Sequence, residues 1–189
     1  MRNIPRSPAS LISKLLFLTA VFILGWNKNA SADINYNLLL NWSYQPPNVQ
    51  QNLVRQVTNI RVVDGIPYSD PSLIDVYGLT TMYTIPGTTY VTHIGIDIKK
   101  GYEEALTHEV GHAISTINHS LWWWVYRPEF LDIWNRERFN CVPLMAQGVD
   151  DPKEYFANAY DLYIRFPQIL KKVCPDTYNY MTVVMRYTN

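Results

Sequence analysis

The sequence has only two cysteines, and neither belongs to a Cys-x-x-Cys pair. The spacing of Cys141 and Cys174 is therefore not typical of a zinc site built from thiolates. A structural disulfide or a pair of buried thiols fits them better, and the sequence does not show whether the two sulfurs meet. A disulfide between them would stabilise the fold by roughly 3–4 kcal/mol in the chain-entropy model.

Long apolar runs are also scarce, and the one present lies near the amino terminus. Residues 15–26 form an apolar run of 12 residues, after a basic start and before the small residues 30–32. This pattern indicates a secretory signal peptide, because a membrane-spanning helix needs about 20 apolar residues. We expect residues 1–32 to be cleaved, which leaves a secreted single domain, 33–189, with no stable membrane insertion. An uncleaved leader that tethers the domain to a membrane is the alternative.

The chain also lacks an excess of basic residues. Without the leader, the chain has 12 Lys and Arg against 16 Asp and Glu, a formal net charge of −4. No basic stripe suggests a nucleic acid or an anionic membrane surface as a partner. The sequence contains no internal repeat, and its length is that of one domain.

Strand patterns lie early in the chain and helical patterns lie late. Apolar spacing predicts a helix over 48–60 and a short strand over 61–63, and the Thr-, Tyr- and Ile-rich segment 77–98 predicts a hairpin. Further helices are predicted over 102–118, 128–138, 152–165 and 176–186. This order favours an α+β domain, in which a small mixed sheet with an edge strand packs on the helix of 102–118.

The helix predicted over 102–118 carries the motif HEVGH at residues 108–112. His108 and His112 lie four positions apart on one face, so their imidazoles can bind one metal ion. Glu109 lies beside that face, where its carboxylate can accept a proton from a metal-bound water. The alternative is two solvent-facing histidines and an ordinary surface glutamate.

A catalytic zinc usually takes a third protein ligand. A metzincin would place a histidine at position 118, and Asn118 excludes that class. His119 is interpreted as a surface residue near the helix end. His93, in the predicted hairpin, is interpreted as a structural or substrate-side residue.

The remaining candidate for the third ligand is Glu154, in the segment DDPKEYFANAYDLY. Glu154, Asn158 and Asp161 form a polar stripe on a predicted helix. Glu154 would bind zinc, and Asn158 or Asp161 would orient a histidine. Alternatively, Asp151 and Glu154 form a capping box in which both side chains bond only to the backbone. The residues alone leave both readings open.

The segments HEVGHA, KEYFANAYDLY and CPDTYNYM together resemble the zinc metallopeptidases related to the catalytic domain of anthrax lethal factor, which include secreted Pro-Pro endopeptidases. The likeness runs over about residues 101–186. It implies a gluzincin-like metallopeptidase domain. It also implies that His108, His112 and Glu154 bind zinc and that Glu109 activates water.

One residue of this family is missing from the sequence. A tyrosine seven positions before the third ligand commonly stabilises the oxyanion in the family, and Gln147 stands there instead. An amide can donate a hydrogen bond, so Gln147 is the candidate catalytic donor, and another tyrosine is the alternative. Loss of one oxyanion donor can cost roughly a hundredfold or more in rate.

The sequence therefore predicts a secreted zinc endopeptidase acting on an extended peptide or protein substrate, bound along the hairpin edge near residues 91–98. At least one of the three tryptophans 122–124 is expected in the core, and an exposed one could contact substrate. The alternative function is a secreted binding protein on a degenerate, non-hydrolytic peptidase scaffold. Gln147 favours that alternative and the intact Glu109 opposes it.

Overall fold

The computed structural model describes residues 36–56, 59–63, 78–85, 88–97, 105–116, 122–145 and 148–188. All of them belong to one compact unit, Ile34–Asn189. The predicted signal peptide, residues 1–32, lies outside the described residues. None of the described helices combines the length and the apolar character that a membrane span requires.

Seven helices and three strands make up the described part of the chain. In order they are α1 (Tyr36–Tyr44), α2 (Pro47–Gln56), β1 (Asn59–Val63), β2 (Gly78–Ile85), β3 (Thr88–Asp97), α3 (Ala105–Ile114), α4 (Pro128–Glu137), α5 (Pro152–Arg165), α6 (Pro167–Val173) and α7 (Pro175–Tyr187). Each of α4 to α7 begins with a proline. Proline is tolerated there because the first N–H of a helix has no intrahelical partner and proline's fixed φ already suits the helix.

The three strands form one sheet in the order β1-β3-β2. β3 runs parallel to β1, where His93 pairs with Asn59. It runs antiparallel to β2, where Ile94 pairs with Thr80. Both edges of the β3 backbone are therefore paired, and β2 lies on the outside of the sheet as described.

The predicted fold class, an α+β domain organised on its sheet, is wrong, because the three-stranded sheet is a minor part of the described fold. The described part of the chain is mainly helical. The prediction missed α1 and α6, which are too short for a helical period to stand out from the sequence. It also placed an exposed edge near residues 91–98, but the described part of that segment lies in β3, the central strand. Alternating apolar residues show which face of a strand is buried and not which neighbours it pairs with.

The described core is aromatic and lies between α4, α5 and α7. The ring of Phe130 on α4 lies 5.1–6.1 Å, centroid to centroid, from Tyr155 and Phe156 on α5 and from Tyr180 on α7. Three of these four side chains are fully buried. Burying a side chain of this size contributes roughly 1.5–3 kcal/mol. This packing holds α5 in place.

A disulfide joins Cys141, after α4, to Cys174, immediately before α7. Both residues are fully buried. Next to the bond, the carboxylate of Glu137 accepts hydrogen bonds from the backbone N–H groups of Asp176 and Thr177, at 3.1 and 2.8 Å. These two N–H groups lie in the first turn of α7, where no intrahelical acceptor exists. The disulfide and the carboxylate thus attach the start of α7 to the end of α4.

Removing the disulfide is expected to lower the free energy of unfolding by about 3–4 kcal/mol, because the unfolded chain regains the entropy of an open loop. The measurement is urea unfolding of the oxidised protein and of the Cys141→Ala/Cys174→Ala double variant. Reduced wild-type protein is the matched control. Equal unfolding midpoints for all three would contradict the expectation.

Candidate metal centre

Helices α3 and α5, which carry the candidate ligands, pack against each other at Gly111. A Cβ atom added there would lie 2.8 Å from Ala157 Cα, 3.0 Å from Ala157 O and 3.1 Å from Tyr160 Cβ. Two of these three atoms are backbone and cannot turn aside. Glycine at position 111 therefore permits an approach of the two helices that any other residue would prevent.

This approach brings the side chain of Glu154 to both histidines of the HEVGH motif. Its Oε2 atom lies 3.2 Å from His108 Nε2, and its Oε1 atom lies 3.5 Å from His112 Nε2. The two imidazole rings are 4.7 Å apart, centroid to centroid. The relative exposure of the side chains is 23% for His108, 10% for His112 and 43% for Glu154, so the cluster opens to solvent on the side of Glu154.

The spacing of these three groups suits a divalent cation. Zinc binds imidazole nitrogen and carboxylate oxygen at about 2.0–2.2 Å, so two ligand atoms at tetrahedral corners are separated by roughly 3.3–3.5 Å. The separations of His108 Nε2 from Oε2 of Glu154, 3.2 Å, and of His112 Nε2 from Oε1, 3.5 Å, are close to that value. Two neutral nitrogens and one carboxylate are also a donor set that zinc commonly takes.

The electrostatics of the cluster favour a positive charge between the side chains. Hydrogen bonds from His108 and His112 hold the pKa of Glu154 well below its usual range, against the effect of burial. Burial acts to lower the pKa of His108, but the hydrogen bond to Glu154 and the charges of Glu109 and Glu154 outweigh it and raise that pKa. Both shifts have one cause, the attraction between the two imidazoles and the carboxylates around them.

Asn158 orients the ring of His108. Its side-chain oxygen lies 2.9 Å from His108 Nδ1. Because an amide oxygen only accepts hydrogen bonds, the contact places a proton on Nδ1 and leaves Nε2, the nitrogen that faces Glu154, as the atom that would bind a metal ion. Asp161, the other residue considered for this position, instead bonds to Arg165 one turn later, at 2.8 and 2.5 Å.

Glu109 lies beside the histidines with only 6% of its surface exposed. One of its carboxylate oxygens and one ring nitrogen of each histidine all lie within 4.8 Å of one another. The hydroxyl of Thr80, on β2, contacts Glu109 Oε2 at 2.6 Å. No local pattern pointed to Thr80, which lies 29 positions before Glu109 in a strand rich in threonine.

At the start of α5, Asp151 caps the helix, but Glu154 does not complete a capping box. Asp151 accepts a hydrogen bond from the backbone N–H of Lys153, at 2.8 Å. Glu154 does not return to the backbone in this way and turns to the histidines instead. Gly148, with a φ of 81°, leaves the room for this turn, since a Cβ there would lie 2.6 Å from Glu154 Cβ.

The three tryptophans after α3 have different environments. Trp124 is buried in the core, as expected of at least one of them, and Trp123 is 41% exposed. The ring of Trp122 meets His112 edge to face at 5.7 Å, with the Nζ of Lys153 5.5 Å from its centre. Trp122 has a φ of 55°, an uncommon conformation for a residue with a side chain. Its ring therefore lies beside His112.

Three residues considered from the sequence cannot be placed. Gln147 and His119 lie outside the described residues. His93 lies in β3, and only its backbone register is described.

Comparison with known proteins identifies a family and a similar fold. Residues 82–184 match the family described as anthrax toxin lethal factor, N- and C-terminal domain. The fold is similar to the structure of the Pro-Pro endopeptidase PPEP-2 from Paenibacillus alvei, with a TM-score of 0.58 and 22% sequence identity over 82% of this chain and 93% of that one. Among curated proteins, none matches the chain.

Replacing Gly111 by alanine tests whether helix propensity or the packing of α3 on α5 has the larger effect on stability. Propensity alone predicts that Gly111→Ala stabilises α3 by about 1 kcal/mol. We expect the opposite sign, a loss of roughly 1–3 kcal/mol, because the added methyl group meets the backbone of α5. The measurement is the free energy of unfolding in urea.

Asn135, at an exposed position of α4, supplies the control for propensity. The difference between Asn135→Gly and Asn135→Ala should show the ordinary preference for alanine. A Gly111→Ala protein as stable as the wild type, or more stable, would show that the helices tolerate a wider separation.

Proposed function

Because the chain belongs to the family of anthrax toxin lethal factor domains, we propose that it is a secreted zinc-dependent endopeptidase. The observation that carries the proposal is the carboxylate of Glu154, which reaches the Nε2 atoms of both His108 and His112 from a separate helix. The similar structure is that of a Pro-Pro endopeptidase, which supports a peptide as the substrate.

Each residue of the centre has a distinct proposed role. His108, His112 and Glu154 would hold the zinc ion. The ion would act as a Lewis acid on the peptide carbonyl and make water a better nucleophile at neutral pH. The carboxylate of Glu109, which lies beside this set, would take a proton from the attacking water and return it to the leaving amine. Asn158 would keep the Nε2 atom of His108 available as a ligand.

The substrate is proposed to bind in an extended conformation along β2. An extended peptide can add to a sheet only at a strand with unpaired backbone groups. β3 has a neighbour on both sides, whereas β2 is paired on one side among the described residues. β2 also contacts the active-site helix directly, through Thr80 and Glu109.

Gln147 remains the proposed donor to the oxyanion. Three tyrosines of α5 and α7 are engaged in other contacts: the hydroxyls of Tyr155, Tyr160 and Tyr180 each have a hydrogen-bond partner at 2.7–2.8 Å. Burial raises the pKa of Tyr155 to about 12. These hydroxyls serve the core.

Secretion is proposed from the leader, residues 1–32, and the disulfide between Cys141 and Cys174 supports it. Disulfides form and persist in oxidising compartments such as the extracellular space and the periplasm.

Two substitutions separate metal binding from chemistry. We expect Glu154→Gln to lower the affinity for zinc strongly, because a neutral amide replaces the anionic ligand. We expect Glu109→Gln to keep zinc and to lose most of the cleavage, about a hundredfold to ten-thousandfold, because an amide cannot accept the proton. Zinc content by mass spectrometry and cleavage of a peptide library that includes Pro-Pro sequences measure both effects.

A wild-type protein that holds zinc and cuts no peptide would overturn the endopeptidase proposal and favour the binding scaffold. Unchanged cleavage by Glu109→Gln would overturn the role of that residue alone.

Asn158 and Asp161 form a matched pair for the orientation of His108. Asn158→Ala is expected to weaken zinc binding by about 10–100-fold, because the imidazole loses the acceptor that fixes its ring. Asn158→Asp should retain binding, since a carboxylate also accepts from Nδ1–H. Asp161→Asn, on the same helix, should leave zinc affinity within twofold of wild type. Competition with a chromogenic chelator measures the affinities, and equal effects at 158 and 161 would refute the assignment.

A further inference from the structure

We propose that Thr80 is a positioning residue that aims the carboxylate of Glu109, so that the sheet and not the active-site helix fixes the direction of the base. The proposal rests on the proposed peptidase function and extends it to a residue outside the HEVGH motif and the helix of Glu154. It is carried by two contacts of one hydroxyl group.

The hydroxyl of Thr80 reaches two acceptors on the same glutamate. Its Oγ1 atom lies 2.6 Å from Glu109 Oε2 and 2.9 Å from Glu109 O. A hydroxyl has one proton, and the shorter contact has the length of a charge-assisted hydrogen bond to a carboxylate. Because the hydroxyl contacts both the backbone carbonyl and the carboxylate of Glu109, it restricts the side-chain torsions of that residue.

The position of this hydroxyl is set by the β2 backbone. Thr80 lies inside β2, where it is the register partner of Ile94 on the central strand. A β-branched residue has few χ1 rotamers, so the strand backbone determines where its hydroxyl points. Glu109 belongs to α3, a different element. The contact therefore ties the active-site helix to the strand proposed to receive the substrate.

The contact with Thr80 distinguishes the carboxylate of Glu109 from that of Glu154. Both oxygens of Glu154 face the histidines, at 3.2 and 3.5 Å. One oxygen of Glu109 is instead bonded to Thr80, although the carboxylate is close enough to the histidines to count among groups that could hold a cation. Thr80 thereby keeps Glu109 in the position of a base rather than that of a further ligand.

The test compares Thr80→Val with Thr80→Ser. Valine keeps the branched shape and suits a strand, but it removes the hydroxyl. Serine keeps the hydroxyl. We expect Thr80→Val to lower kcat roughly 10- to 100-fold, the effect of losing one hydrogen bond to a charged group, and to leave KM and zinc content within about twofold. Thr80→Ser should restore most of kcat. The substrate is the peptide that the wild type cuts best in the library, and kcat is expressed per bound zinc.

A structural role would give a different result. Thr80→Val would then unfold at a lower temperature and bind less zinc, with kcat per bound zinc unchanged, and that outcome would overturn the proposal. Wild-type kcat in Thr80→Val, or equal losses in the valine and serine variants, would also overturn it while the peptidase function stood. Failure of the wild type to cut any peptide would instead refute the proposed function.

Discussion

The centre depends on the close approach of α3 and α5 at Gly111. His108 and His112, four positions apart on α3, would provide two ligands of the proposed metal site, and Glu154 on α5 is the proposed third. Gly111 meets α5 at Ala157. Glu154 lies three positions before Ala157 and four before Asn158, so its side chain lies on the same side of α5 as each of them. Because Gly111 has no Cβ atom, α5 can lie close enough to α3 for Glu154 and Asn158 to reach the imidazoles.

The rest of the packing keeps this contact in place. Aromatic rings fix α5 against α4 and α7, and the disulfide with the Glu137 cap attaches α7 to α4. On the sheet, Thr80 of β2 contacts the carboxylate of Glu109. The ionisable side chains of the two histidines, Glu109 and Glu154 thus lie together in a partly buried space. Each needs a defined partner there, because desolvation of an unpaired charge is costly. The proposed metal ion, shared by three of them, would meet that need.

Part of this arrangement follows from the sequence. The helical period alone places His108 and His112 together, and family resemblance singled out Glu154. The residues could not separate a ligand from a capping box at Glu154, since both patterns put an acid three positions after Asp151. They could not choose between Asn158 and Asp161 either, because both lie on one polar stripe and only the partner helix and Arg165 distinguish them. The fold class and the edge near 91–98 were wrong, and Thr80 was missed, because strand order and contacts between distant segments leave no local pattern.

X-ray absorption at the zinc edge tests most directly whether two helices supply one ion with three ligands. For the zinc-loaded protein without its leader, we predict two imidazole nitrogens at about 2.0–2.1 Å and oxygen ligands at about 2.0–2.2 Å, with four ligands in total. In Glu154→Gln protein loaded with zinc, the carboxylate contribution should disappear while both imidazoles remain. A zinc site with sulfur ligands, or a spectrum that does not change on substitution of Glu154, would contradict the account.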